Sequence, residues 1–167
     1  MEPRFSFETN YNTATFVSMA RAIRKTVGKK RSRRSHIFGA AVVGLGIAAS
    51  LLWGPKPLTI AAIALIILVF IFENRINAFF AMRRMLPGME RVRSDFYEDR
   101  YISSTDIGTT EWHYDKIKHI AEDKDFFIFF FSKSHVQAYD KSSIHGGIDT
   151  DFKVFIEEKT GLKVEVI

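Results

Sequence analysis

The 167-residue chain has no cysteine, which excludes disulfide frameworks, thiol catalysis, iron–sulfur clusters and cysteine-based zinc sites. Carboxylates are scarce in its first half. Residues 1–84 carry only Glu2, Glu8 and Glu73 against 13 Lys/Arg. The second half reverses the sign, with 16 Asp/Glu against 11 Lys/Arg over residues 85–167. The basic pI of about 9.5 therefore belongs to the N-terminal half alone, and the two halves present opposite charge to any partner. Internal repeats, low-complexity tracts and the pattern of a secretory signal are also missing.

Charge is missing again between Ile37 and Phe72, where Lys56 is the one charged residue. The two uncharged runs, 37–53 and 58–72, would span roughly 22 to 26 Å as helices. That is slightly short of the ~30 Å hydrocarbon core of a bilayer. Ser35, His36 and Gly54 lengthen the first run, Pro57 suits the first turn of the second, and flanking Arg and Lys snorkel over the remainder. Neither run shows the polar stripe of a helix packed on a soluble core. The rest of the chain is also too short to cover both. The sequence thus predicts a transmembrane hairpin over 35–86, with Gly54, Pro55, Lys56 and Pro57 as its wet turn. Eight basic residues between Arg21 and Arg34 precede the first run and Arg75, Arg83 and Arg84 follow the second, so the positive-inside rule places both termini in the cytoplasm.

Within the first run Ala40, Gly44 and Ala48 recur every fourth residue. This small-residue face suits close packing against the second span or against a second copy of the chain, as a homodimer. Neither span holds an ionisable group, which argues against an ion path.

The segment 21–34 carries eight cations and no acid. Phe16, Ala20, Ile23 and Val27 fall at helical spacing, Asn12 or Thr13 can cap the start and Gly28 can end the helix. Residues 1–34 therefore read as an N-terminal strand, RFSFE, and a basic amphipathic helix lying along an anionic leaflet. Lys29, Lys30, Arg31, Arg33 and Arg34 form the membrane interface there, and Arg83 and Arg84 do so after the second span. Clustered base-stacking aromatics are missing, so nucleic acid is not expected as a partner. ENRINAFFAMRRML continues the second helix to the Pro87-Gly88 breaker.

From residue 87 to 167 the pattern changes to short strands near 91–97, 100–104, 108–113, 117–121, 126–131 and 135–139. A helix over about 150–160 follows, capped by Asp149 or Thr150 and stopped by Gly161, and LKVEVI alternates like a last strand. A meandering antiparallel sheet closed by a C-terminal helix is expected, making the whole chain a membrane α+β protein. Trp112, Phe126, Ile128 and Phe130 are its predicted core. FFIFFF leaves the alternate row Phe127, Phe129 and Phe131 in need of a second cover, for which RFSFE with its following helix, the helix ending at Leu86, a partner protein and the bilayer surface are candidates.

Catalytic patterns are weak. No His pair sits at i, i+4 around a glutamate, and His145-Gly146-Gly147 lacks the Lys-Ser/Thr of a phosphate loop. His113, His119 and His135 read as surface strand residues, and Glu122, Asp123 and Asp125 as a solvated turn. Ser132 and Ser134 lack a nucleophile-elbow pattern. No enzyme activity, metal or cofactor is expected.

The order of RFSFETNYNTATF, basic helix, two-span hairpin and β-domain resembles the bacterial YcxB-like family. The likeness is strongest over DRYISSTDIGTTEWHYDKIKHIAEDKDFFIFFFSKSHVQAYDKSSI, at Trp112, Ile117, Ile120, Glu122, Phe126 to Phe130 and Lys141. It implies a bacterial inner-membrane protein whose C-terminal domain is similar to pleckstrin-homology-like (PH-like) folds, and it implies no reaction. The expected function is non-enzymatic: an acidic domain held at the cytoplasmic face for protein interaction or membrane organisation. The alternative is a subunit of a membrane transport or stress-response complex acting through its hairpin, with a small-ligand sensor or enzyme as a third reading. Expected partners are anionic inner-leaflet lipids, another protein and a second copy of the chain.

Overall fold

A computed structural model describes residues 2–133 and 135–167. Strand β1 (Phe5–Asn10) leads directly into helix α1 (Thr13–Lys25). Asn12 caps that helix, its Oδ1 accepting from the Ala14 and Thr15 amides at 2.9 and 3.2 Å. The chain then breaks. Gly28 N–H donates to Ile23 O at 2.7 Å, and a Cβ at position 28 would stand only 2.7 Å from that oxygen. Helix α2 (Lys29–Trp53) starts immediately afterwards, so Lys29 to Arg34 form its opening turns and are not the tail of the amphipathic helix. Gly54, at φ +82°, turns the chain, and Pro57 opens helix α3 (Pro57–Met82) at the position where its missing N–H costs nothing.

Both α2 and α3 are long and apolar enough to cross a membrane, and the rest of the chain leaves their apolar windows uncovered. They touch through Gly39, which lies against the Phe70 ring, and Gly46, where an added Cβ would stand 3.0 Å from Ile63. Both pairs are seven residues apart along their helices, the repeat of a shallow left-handed crossing. Ala40, Gly44 and Ala48 lie on the other side and are exposed, with nothing within 4 Å of a Cβ built at Gly44. The expectation that this row packs on the second span is therefore corrected: a four-residue repeat drifts off the seven-residue seam.

Strands β2 (Arg91–Phe96), β3 (Arg100–Thr105) and β4 (Gly108–His113) continue from β1 as an antiparallel sheet in the order β1-β2-β3-β4. A short 3-10 turn at Tyr114–Lys116 passes the chain to a second sheet. That sheet contains β5 (His119–Glu122), β6 (Phe126–Phe130) and β7 (Val136–Asp140), with β8 (Val164–Val166) parallel to β5, in the order β7-β6-β5-β8. The single expected meander is thus two sheets. Helix α4 (Asp149–Thr160) packs Phe152, Phe155 and Ile156 into the core between them. Its cap is Ile148, not Asp149 or Thr150: the Ile148 amide donates to Asp151 Oδ2 at 3.2 Å. Gly161, at φ +67°, ends it as expected.

Two further corrections concern the N-terminal segment. β1 pairs with β2 from Phe5↔Phe96 to Asn10↔Arg91, so Phe5–Asn10 belongs to the β-domain and not to a separate unit 1–34. The helices α1, α2 and α3 are an insertion between two neighbouring strands. In β6 all five residues are buried, but the rows exchange roles. Phe127 and Phe129 face the inter-sheet core with Phe7, Phe96, Tyr139 and Phe152. Phe126, Ile128 and Phe130 instead meet Met19, Ala22 and Ile23 of α1. With both rows apolar, only the position of α1 decides which face lies inward.

Candidate functional site

The first sheet grades from large to small along its inward face. One cross-strand row reads Phe5, Phe96, Tyr101, Trp112, and the next reads Phe7, Ser94, Ser103, Thr110. The ring row fills the space between the sheets. The small row cannot, and a cleft of about 660 Å³ opens there. That volume lies in the usual range of small-molecule sites, about 300–1,000 Å³. Ser94 and Ser103 sit on its floor and hydrogen-bond each other at 3.1 Å. Across from them, Tyr101 and Tyr139 both donate to Gln137 Oε1, at 3.2 and 2.7 Å. Burial holds the Tyr101 and Tyr139 hydroxyls well above the ordinary phenol range. The helical side of the cleft is built from Phe16 and Met19 of α1, Ala81 at the end of α3, and Met85 and Leu86 beyond it.

Trp112 stands at the boundary between the packed and open halves. It is half-buried at the edge of the core cluster, stacked on Tyr101 and packed against Phe131 and His135. Its indole nitrogen is buried without a hydrogen-bond partner. Phe126, Ile128 and Phe130 are buried as expected of core residues, though under α1.

The basic residues divide. Lys29, Lys30, Arg31, Arg33 and Arg34 are exposed on the opening turns of α2, where the apolar run begins. Arg83 lies over the Phe79 ring at 4.4 Å, whereas Arg84 reaches the rim of the cleft. Helix α1 is not free to rest on a bilayer by its apolar face, because the second sheet covers part of it and α3 covers another part. Ala22 and Ala78 are both fully buried, Arg24 Nε donates to Asn74 Oδ1 at 3.0 Å, and Thr13 lies beside Met82 Sδ. Below this neck Glu73 lies 3.4 Å from His36, whose ring stacks on Phe70. The turn residues Gly54, Pro55, Lys56 and Pro57 are exposed at the far end of the helix pair.

The acidic turn is not solvated throughout. Asp123 is buried, its Oδ1 accepting from the Asp125 and Phe126 amides and its Oδ2 from Ser18 of α1. Glu122 is paired with Lys153 at 2.6 Å and Lys141 at 3.5 Å. Lys141 also donates to Asp123 O at 2.8 Å and lies over the Phe127 ring. The FFIFFF strand supplies the reason: α1 comes down to cover it and buries the adjoining turn.

The histidines stay apart. His113 is beside Glu111, His119 beside Glu165, and His135 against Trp112. Among the described residues no three His, Asp or Glu converge to hold a metal. His145 bridges Ser6 of β1, and Gly146 (φ +95°) lies against Arg4 O, where a side chain would collide. These glycines serve close backbone packing. Of the cleft, the sequence reading singled out Trp112 and Arg84 and missed Ser94, Ser103 and Gln137. Their signal was the break from aromatic to small residues along β2 and β3, which needs the strand register to interpret.

No curated protein matches the chain, and no solved structure matches it. Residues 96–143, which run from the ring row of β2 through both Glu122 and Lys141, match a family model described as YcxB-like protein.

Proposed function

We propose that the chain is a non-catalytic, membrane-anchored binding module. Its two long helices cross a bacterial inner membrane, and its β-domain faces the cytoplasm together with both chain ends. The observation that carries this reading is the place of the insertion. The helix pair leaves and re-enters between β1 and β2, so two chain segments and the buried α1 hold the domain against the lipid. A flexible tether would not be built this way. Two packed sheets closed by a C-terminal helix support the PH-like description of the domain. The exposed cations on α2 favour the anionic leaflet by about 1 kcal/mol each, while the acidic domain beyond them favours a protein partner over lipid headgroups.

The absence of native cysteine allows a direct test. Lys56→Cys and Lys163→Cys, each introduced alone, should label from opposite sides of sealed vesicles. Labelling of both from the same side would refute the topology. A second reading, in which the hairpin docks on another membrane helix or a second copy, draws on the outward-facing row Ala40, Gly44 and Ala48. Gly44→Cys cross-linking in native membranes tests it, and an absence of any cross-linked species would remove it.

A further inference from the structure

We propose that the inter-sheet cleft binds an acyl chain of an anionic phospholipid drawn from the adjoining leaflet, with Arg84 at the rim holding its headgroup. This rests on the membrane-anchored reading above. The walls set the first requirement. Phe16, Met19, Met85 and Leu86 make them apolar, and methionine adapts to a flexible chain. Three of the five methionines in the protein, Met19, Met85 and Met89, line this one cleft.

Charge sets the second requirement. The C-terminal half carries 16 carboxylates, yet none lines the cleft, where Arg84 is the one Lys or Arg. A cationic ligand would find no carboxylate there, whereas an anionic one meets the exposed Arg84 at the rim. Hydrogen bonding sets the third. The Ser94 and Ser103 hydroxyls share one hydrogen bond, and Gln137 Oε1 already accepts twice. The buried Trp112 N–H has no partner among the described residues, which leaves a place for an acceptor. A lipid ester carbonyl supplies one.

Position fixes the source. Met85 and Leu86 lie just past the end of α3, beyond Arg83 and Arg84, and Phe79 and Phe80 are exposed on the last turn of that helix, beside the wall residue Ala81. Leu86, Met89 and Ile107 stand exposed around the opening. Exposed apolar side chains thus stand both on the last turn of α3 and around the cleft opening. A chain passing from one to the other meets apolar side chains at both ends.

The two tryptophans, Trp53 on the hairpin and Trp112 in the cleft, separate this proposal from its premise. The full-length protein is reconstituted into bilayer nanodiscs containing phosphatidylglycerol brominated on its acyl chains. In Trp53→Phe, Trp112 fluorescence should be quenched. Thr110→Phe and Val92→Phe, which fill the cleft, should abolish most of that quenching. Either variant suffices if it keeps the parent melting transition. Arg84→Ala should raise the brominated phosphatidylglycerol fraction needed for half-quenching about fivefold, with no change for brominated phosphatidylcholine. Unquenched Trp112 together with quenched Trp53 in Trp112→Phe overturns the proposal and leaves the anchor standing. Failure of both overturns the anchor and the proposal with it. Quenching that survives cleft filling, or that appears only with a brominated free fatty acid, also overturns the proposal.

Discussion

Ser18, on the helix that leads into the hairpin, donates a hydrogen bond to the buried carboxylate of Asp123 in the turn between β5 and β6. The same carboxylate holds the turn through the Asp125 and Phe126 amides at 3.0 and 2.9 Å. One side chain therefore ties the β-domain to the inserted helices. Ser18→Ala should destabilise the protein by about 1–2 kcal/mol and Asp123→Ala by about 3 kcal/mol, because the latter leaves three donors unpaired. The double variant should lose less than the sum, since both act on one contact. Thermal unfolding in detergent measures all three, and strict additivity would mean that the contact carries no energy.

The hairpin gives a contrast between two glycines on one helix. Gly39 has the Phe70 ring where a side chain would go, and Gly44 has nothing. Gly39→Val should cost about 1–3 kcal/mol through overpacking, while Gly44→Val should leave the helix pair intact. Paired Gly46→Cys and Ile63→Cys report the packing, since no native cysteine competes. Their disulfide should form readily in the Gly44→Val background and poorly in the Gly39→Val one. Equal yields would show that the helices meet on some other face.

Much of the fold is legible in the sequence because its signals are local. The uncharged runs, the Gly-Pro-Lys-Pro turn, the strand lengths and the Gly161 stop each depend on a few neighbouring residues. What escapes is long-range. RFSFE joins a strand more than 80 positions away, and nothing near Phe5 or Phe7 names that partner. The burial of Asp123 follows from where α1 lands. The cleft is harder still, since Ser94 and Thr110 become one wall only through the register of three strands. Helix α1 misleads for a related reason: amphipathicity shows that a face is covered but does not say whether lipid or protein covers it.

Three buried tyrosines and the half-buried Tyr11 predict behaviour at high pH. Loss of hydration pushes the Tyr11 hydroxyl up to about 12, and burial also raises Tyr101, Tyr114 and Tyr139. An unfolded tyrosine ionises near 10. The folded chain therefore keeps protons that the unfolded chain gives up. The stability these groups contribute is fully present below about pH 10 and is lost as pH rises through the folded values. Phenolate absorbance and circular dichroism followed together should show the last phenols ionising only as the β-signal collapses. Complete ionisation near pH 10 with the fold intact would contradict the burial. Tyr11→Phe should remove one group from the linked step without abolishing it.

The insertion of three helices between β1 and β2 makes a prediction about which pieces of the chain can stand alone. A fragment of residues 87–167 contains the matched family segment and α4, but it lacks β1 and α1. Phe5 and Phe7 leave the inter-sheet core, and Phe126, Ile128 and Phe130 lose their cover. Each deleted core phenylalanine costs about 3–5 kcal/mol. Two of them cost about 6–10 kcal/mol, and with a bare edge at β2 and an uncovered sheet face they use up most of a domain stability of about 5–15 kcal/mol. The fragment should aggregate or bind hydrophobic dye without a cooperative melt. Deleting residues 29–82 and bridging Gly28 to Arg83 should instead yield a soluble, cooperatively melting domain. Helix α1 runs antiparallel to the end of α3, so the bridge must cover roughly 20 Å, the length of 13 helical residues. About eight flexible residues suffice. Monomeric 87–167 with the same melting transition as the bridged protein would show that β1 and α1 are accessories, and the close coupling of domain to hairpin would have to be abandoned.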